Sequence, residues 1–553
     1  MLKINFKKFA DLCLALAVPA AVALSSCSDN DITSVDGNTN SDVEKSNLTT
    51  VKLATFNGDA SRITYGNGTR AEGDVLSLVA TIANPSKAEG FNFTKEDSAD
   101  GRYMSATSVY YNDADGKYYV TYHMQGNNYN TELTTETAGA IQEFSFNEEG
   151  ELVLGKGFRA ANPGDEDFDF NHIYFDVTDK RIIVAGHNML KHNKKNTNAI
   201  IGVFNPTDSE FKYATVKTNE KIEREFVNED NKNGNATVQL VDYADAGDVN
   251  CVIRGGETTN PNRTGWNFYI LATRKGMAVV TAGKDDNELF KPVYIADKVK
   301  YFIPTPGSAK FVAKTGTSSF FDLLYLAQNN PNDSYSTTSE AKIAHFSIQT
   351  GTGVDFGFLK ERGTNEVFDP QAKDILNHGD QIELPAVISP IDGKNTLLCA
   401  PDTYSDNECY AALGTSGMYY KFNGANSHNP IEGVVTFGNR PVNCVTADVS
   451  DEEKGHDGFI YVANGAKLTI LHRGTFEKVA SYNIPAKDAN GNDVASSANY
   501  IHVQKAPANN WAPRERIITV AFGQEGVKVF KFNPALLEAK TVWEKELLPT
   551  NID

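Results

Sequence analysis

From Val51 onward the chain repeats one pattern: short runs of β-branched and aromatic residues, broken by Asn, Asp and Gly at intervals of about ten residues, with almost no helical periodicity. The clearest copy is Arg516–Phe532, RIITVAFGQEGVKVFKF, in which two apolar runs flank Gly523-Gln524-Glu525-Gly526. Glycines at both ends of a short polar break allow the positive φ that a tight reversal needs, so the stretch predicts a β-hairpin. A small residue closes the first apolar run. Here it is Ala521, and weaker copies carry such a residue at 121, 185, 272, 327, 412 and 463, which gives seven units.

The pattern places strands unit by unit. The first unit takes Ser105–Tyr111, Lys117–His123, Ala138–Phe146 and Leu152–Phe158, with a tight turn at Asp113–Gly116. The second takes His172–Val177, Arg181–Gly186, Ala199–Phe204 and Phe211–Val216; the third takes Val249–Arg254, Trp266–Thr273, Gly276–Thr281 and Leu289–Ile295. The fourth has Ala309–Ala313, Phe320–Ala327, Lys342–Ile348 and Val354–Leu359, followed by an irregular excursion, Lys360–Glu383. The fifth has Pro385–Ser389, Leu397–Ala400 with Cys409–Leu413, Met418–Phe422 and Val434–Phe437. The sixth has Val442–Ala447, Phe459–Ala463, Lys467–Leu471 and Val479–Ile484, and the seventh Tyr500–Val503, Ile517–Phe522, Val527–Phe532 and Thr541–Leu547. Val51–Phe56 and Val75–Ile82 precede them, and one of these is expected to close a ring by adding to the last unit. Repeated three- or four-stranded units predict an all-β protein, a β-propeller of seven blades, with six or eight as alternatives.

A second echo runs through the same units. Val249-Asn250-Cys251-Val252 and Val442-Asn443-Cys444-Val445 are nearly one tetrapeptide, and Asn171 and Asn499 begin the related Asn-His-Ile and Asn-Tyr-Ile. If these are innermost strands, Asn171, Asn250, Asn443 and Asn499 ring one mouth of a channel. They are then either ligand contacts or amides that tie each strand start to a neighbouring blade's backbone, the reading favoured here.

The beginning of the chain carries an address. Lys3, Lys7 and Lys8 precede the apolar run Phe9–Leu24, which is too short and Ala-rich for a spanning helix and predicts a secretory signal over residues 1–26. Residues 27–49 are polar and acidic, a tether that cannot bury enough surface to fold, and 50–553 form one domain. The formal net charge is −19, and loss of Lys3, Lys7, Lys8 and Asp11 takes it to −21. Such acidity argues against nucleic acid.

Candidate chemistry is sparse. No nucleophile elbow, sialidase box, tryptophan-docking repeat, CxxC or Cys/His zinc spacing occurs. His187 and His192 lie in GHNMLKHNKKNTN, Gly186–Asn198, where Lys191, Lys194 and Lys195 oppose a metal, so the stretch reads as a solvated loop. Asp165–Asp169 and Asp488–Asp493 are oxygen-rich turns; calcium is the alternative to plain solvation, and no cofactor is expected. Cys399 and Cys409 flank a hairpin as a bridge or as thiols, and Cys251 and Cys444 occupy matching strand positions.

Leu24-Ser25-Ser26-Cys27 resembles a bacterial lipobox, which implies cleavage before Cys27 and lipid on its sulfur and new amino group. Ser28-Asp29-Asn30-Asp31 resembles the export signal of Bacteroides-type surface lipoproteins, and Asp97-Ser98-Ala99 their O-glycosylation acceptor. With the Gly-x-x-Gly-Val-x-Val-Phe motif at 523–530, the chain resembles propeller-bearing lipoproteins of that type, of YncE or LVIVD character. The resemblance implies an outer-membrane lipoprotein, surface-exposed or periplasm-facing, with an outer-membrane transporter or envelope protein as partner. It also implies a non-catalytic binding module for a glycan or corrinoid-like nutrient. Two alternatives stand beside it: a lyase or hydrolase with catalytic groups scattered over blade loops, and a structural partner of another envelope protein.

Overall fold

A computed structural model describes residues 48–66, 74–86, 89–91, 103–125, 139–161, 166–176, 179–189, 197–216, 225–227, 235–237, 249–254, 268–273, 276–292, 309–313, 320–328, 340–350, 356–358, 382–383, 399–401, 409–412, 418–422, 431–435, 437, 442–447, 459–472, 477–483, 498–505 and 515–537. They belong to one body beginning at Ser46. Among them the regular structure is almost entirely β, and every strand pair is antiparallel. No helix among the described residues is long and apolar enough to cross a membrane.

The local chemistry sets the reversals. At Asp113–Gly116 the chain turns with Gly116 at φ 72°, and its N–H donates to the Asn112 carbonyl at 2.9 Å. In the last hairpin Gly523 and Gly526 have φ 53° and 76°, and Phe522 N–H reaches the Gly526 carbonyl at 2.7 Å. The first was legible in the sequence as a tight turn and the second as a glycine-bounded break.

Seven strands, Tyr103–Asn112, Phe168–Asp176, Val249–Arg254, Ala309–Ala313, Cys399–Pro401, Val442–Ala447 and Tyr500–Lys505, each head an antiparallel meander. These first strands touch one another in chain order, and Tyr500–Lys505 touches Tyr103–Asn112. Thr49–Asn57 lies on the opposite side of the meanders. Its first half pairs with Glu210–Tyr213 and its second half with Lys156–Ala160, so it joins the fourth strands of the first two meanders into one nine-stranded sheet. Leu76–Ile82 pairs with Val527–Phe532, so the second of the two early strands completes the last sheet. The fourth strand expected there, Thr541–Leu547, lies outside the described residues, as do Pro385–Ser389 and Leu397.

The core sits between successive sheets. Ile183, Ala185 and Ile201 pack toward Val252, Tyr269 and Leu271 of the third meander, whereas Ile182, Val184 and Ile200 pack toward Tyr119, Ile141 and Phe158 of the first. Side chains alternate across a strand, so a sheet covered on both faces needs apolar residues at every position. That is why Ile182–Ala185 is an unbroken apolar run and not an alternating one.

The small marker residues acquire a structural meaning. Thr121, Ala185, Ala272, Ala463 and Ala521 lie opposite Ser108, His172, Cys251, Cys444 and Tyr500; the first four of these partners each follow a position that the ladder skips, and Tyr500 begins its strand. Cys251 and Cys444 thus occupy matching places, as expected, and both are buried thiols. Cys399 lies opposite Ala411, and Cys409 opposite Pro401. The two cysteines are therefore diagonal neighbours on adjacent strands, not directly opposed.

Candidate functional site

The asparagines of the repeated tetrapeptide mark β-bulges. In the first strands the ladder skips one residue, and the skipped residues are Thr107, Asn171, Asn250 and Asn443. A bulge leaves its residue out of the pairing and re-aims its side chain. Thr107 Oγ1 donates to the Phe170 carbonyl at 2.8 Å, and Asn171 Nδ2 to the Val249 carbonyl at 3.1 Å. Asn499, which precedes its strand, donates from Nδ2 to the Ala106 carbonyl at 3.0 Å. In each case the acceptor is the residue just before the next bulge position. Asn171 and Asn499 therefore tie one sheet to the next, as in the favoured sequence reading. Asn250 and Asn443 share the bulge; their side chains are outside the described set. A parallel tie runs from Val252 N–H to His172 Nδ1 at 3.2 Å.

A second group was missed by the sequence reading. His123 lies near the end of Lys117–Gln125, and Asp169 and His187 are cross-strand partners in the second meander. His187 Nε2 is 3.3 Å from Asp169 Oδ2, and His123 Nδ1 is 3.9 Å from Asp169 Oδ1. The two imidazole centroids are 5.1 Å apart at 63°. The side chains of His123, Asp169 and His187 are only 5%, 3% and 3% exposed. Their donor atoms all lie within 4.8 Å of one another.

The surrounding backbone admits this approach only with glycine. A Cβ on Gly139 would meet the Tyr122 carbonyl at 2.2 Å and Asp169 Oδ1 at 3.2 Å, and the Gly139 N–H reaches the Phe168 carbonyl at 2.6 Å. The adjacent Tyr122 is buried, which pushes its hydroxyl up to about 12. Beside the group, Tyr213 donates to both Glu166 carboxylate oxygens at 2.9 Å, and Asn188 Oδ1 accepts from Asp167 N–H at 2.9 Å.

Two sequence expectations are corrected here. His187 belongs to the buried strand Arg181–Met189 and not to a solvated loop; its partner is His123, while His192 and the neighbouring lysines lie outside the described residues. Of Asp165–Asp169, Asp165 lies outside the described residues, while Asp167 and Asp169 are buried and not solvated, and Asp169 faces two imidazoles. The missed signal was alignment on the marker residues. His123 and His187 each follow their marker, Thr121 or Ala185, by two positions. Asp488–Asp493, Asp97–Ala99 and Cys27 lie outside the described residues.

A further buried polar centre joins the early chain to the first meander. Arg62 pairs with Glu89, its Nη2 donates to Gln142 Oε1 at 2.6 Å and its Nε to the Ala83 carbonyl at 2.9 Å. Glu89 also accepts from the Asp59 and Ser86 N–H groups at 3.0 and 2.9 Å. The Arg62 and Glu89 charges are thus hydrogen-bonded on several sides, as in a structural centre, although Gln142 Nε2 is buried with no hydrogen-bond partner among the described residues.

No protein family matches the sequence, and no curated protein is similar to it. Among solved structures, the crystal structure of Saccharomyces cerevisiae Sqt1 is similar over 78% of this chain and 96% of that one, at 8% identity and a TM-score of 0.38. That likeness is too low to carry a functional argument.

Proposed function

We propose that the chain is a seven-bladed β-propeller lipoprotein, anchored through Cys27 at the outer face of the outer membrane, that acts as a non-catalytic binding or scaffold module for a glycan or corrinoid-like nutrient. Seven blades are supported by the cycle of first-strand contacts and by the ties Asn499 to Ala106, Thr107 to Phe170 and Asn171 to Val249. The position of Thr49–Asn57 carries the functional reading. This strand is paired on the side of the meanders away from the first strands, so a tether that ends there meets the perimeter and leaves the ends of the sheets open to a ligand. The His123–Asp169–His187 group does not favour catalysis, because side chains this deeply buried offer a substrate no surface.

The test is a thermal-shift panel on residues 48–553 with cobalamin, haem, and plant and host glycans. A ligand at a hundred times its dissociation constant stabilises the fold by about 2.7 kcal/mol. The account expects at least one such shift; a flat response contradicts small-ligand capture. In cells, Cys27→Ala should abolish labelling by palmitate and release the protein from the membrane fraction, while the unaltered protein is digested by protease added to intact cells.

A further inference from the structure

We propose that His123, Asp169 and His187 form a zinc site that clamps the first meander to the second. Nothing in the binding role proposed above requires it. Two imidazoles and one carboxylate are the donor set that suits zinc, whereas calcium and magnesium take cages of oxygen. Two ligands held about 2.0–2.1 Å from a tetrahedral ion lie about 3.3–3.4 Å apart. His187 Nε2 and Asp169 Oδ2 are already 3.3 Å apart. His123 Nδ1 is 3.9 Å from the other carboxylate oxygen, Oδ1, and the donor atoms of all three residues lie within 4.8 Å of one another, so side-chain shifts of about 1.5 Å or less close the set on one ion.

Position and cost favour an ion as well. All three side chains stand on strands, and Asp169 and His187 are locked as cross-strand partners, so little order is lost on binding. A Cβ on Gly186 would meet the Asp169 carbonyl at 1.9 Å, so a glycine there lets the two strands approach this closely. A carboxylate with 3% exposure is costly to bury unless a positive charge stands beside it. A divalent ion supplies that charge and draws its ligands from two meanders at once. Three protein donors leave the fourth position to water, as in other three-ligand zinc sites. The rival arrangement is a proton on one imidazole in place of the ion.

The test uses the chain from residue 48, stripped of metal with a chelator and titrated with zinc at pH 7.5. The expected result is one equivalent bound and a higher melting temperature. His187→Gln and Asp169→Asn should each weaken binding at least about hundredfold, with unchanged circular dichroism before metal is added. Absence of saturable one-to-one binding overturns the proposal, as does undiminished binding in both variants. If the variants do not fold, cobalt(II) on the unaltered protein decides. Intense visible bands of four- or five-coordinate cobalt, without sulfur charge transfer and displaced by one equivalent of zinc, are expected. A weak octahedral spectrum, or a thiolate band from Cys251 or Cys444, overturns it.

Discussion

Asn171 Nδ2 donates to the carbonyl of Val249 at 3.1 Å, and Val249 is the residue just before the next bulge asparagine, Asn250. The same relation, a bulge or strand-start side chain reaching the residue before the next such position, holds for Thr107 to Phe170 and Asn499 to Ala106.

Asn171→Ala should therefore lower stability by about 1–3 kcal/mol, because it leaves a buried carbonyl without its donor. Urea unfolding of residues 48–553 measures this. Unchanged stability combined with loss of ligand binding would reverse the structural assignment and make Asn171 a ligand contact.

Gly526 has φ 76°, and a Cβ there would meet the Ile82 carbonyl at 2.0 Å. Gly526→Ala should cost at least about 1–2 kcal/mol from the left-handed backbone alone. It should also loosen Leu76–Ile82 from Val527–Phe532, so amide exchange is expected to accelerate first at Leu76–Ile82. Acceleration spread evenly over the sheets would contradict a closing role for this strand.

Arg62 and Glu89 are 4% and 2% exposed, so removing either leaves a charge buried without its counter-ion. Arg62→Ala and Glu89→Ala should each cost about 3–5 kcal/mol, and the double variant much less than their sum. Additive losses in a double-mutant cycle would contradict the pairing.

His502 packs against Tyr110, with ring centroids 4.7 Å apart, and burial pushes its imidazole down to about 4 from 6.5. Above pH 6.5 folded and unfolded chains both hold it neutral; below that the unfolded chain gains a proton that the folded chain resists until about pH 4. Stability should thus fall as pH drops through this window, by at most about 3 kcal/mol, and by less in proportion to the ring's remaining exposure to water. His502→Phe should flatten the pH dependence of chemical unfolding between these values; an unchanged slope would remove His502 as its source.

The meanders were readable because their signals are local. Val-Ala-Asn at 462–464 and the glycine-bounded turn at 523–526 fix strand ends through short-range sterics, and strands such as Lys467–His472 emerged within a residue of their expected bounds. The repeated asparagine was also visible, and its placement in a bulge explains why a polar residue recurs inside an apolar strand. What could not be read was anything that depends on which sheet faces which. Leu76–Ile82 completes a sheet some 450 residues away in sequence, on the order of the whole chain, and no local pattern chooses between it and Val51–Phe56. Asp169 looked like part of an acidic turn because its neighbours Asp165, Glu166 and Asp167 are polar; only the register with His187 and the approach of the first meander's His123 reveal its place.

The most direct test of non-catalytic capture is recovery of the ligand. The compound giving the largest thermal shift would be incubated for hours in large molar excess over residues 48–553, released by unfolding and weighed by mass spectrometry. The account predicts full recovery of the unchanged compound; conversion to a product in amounts exceeding the protein would contradict it and make the chain an enzyme.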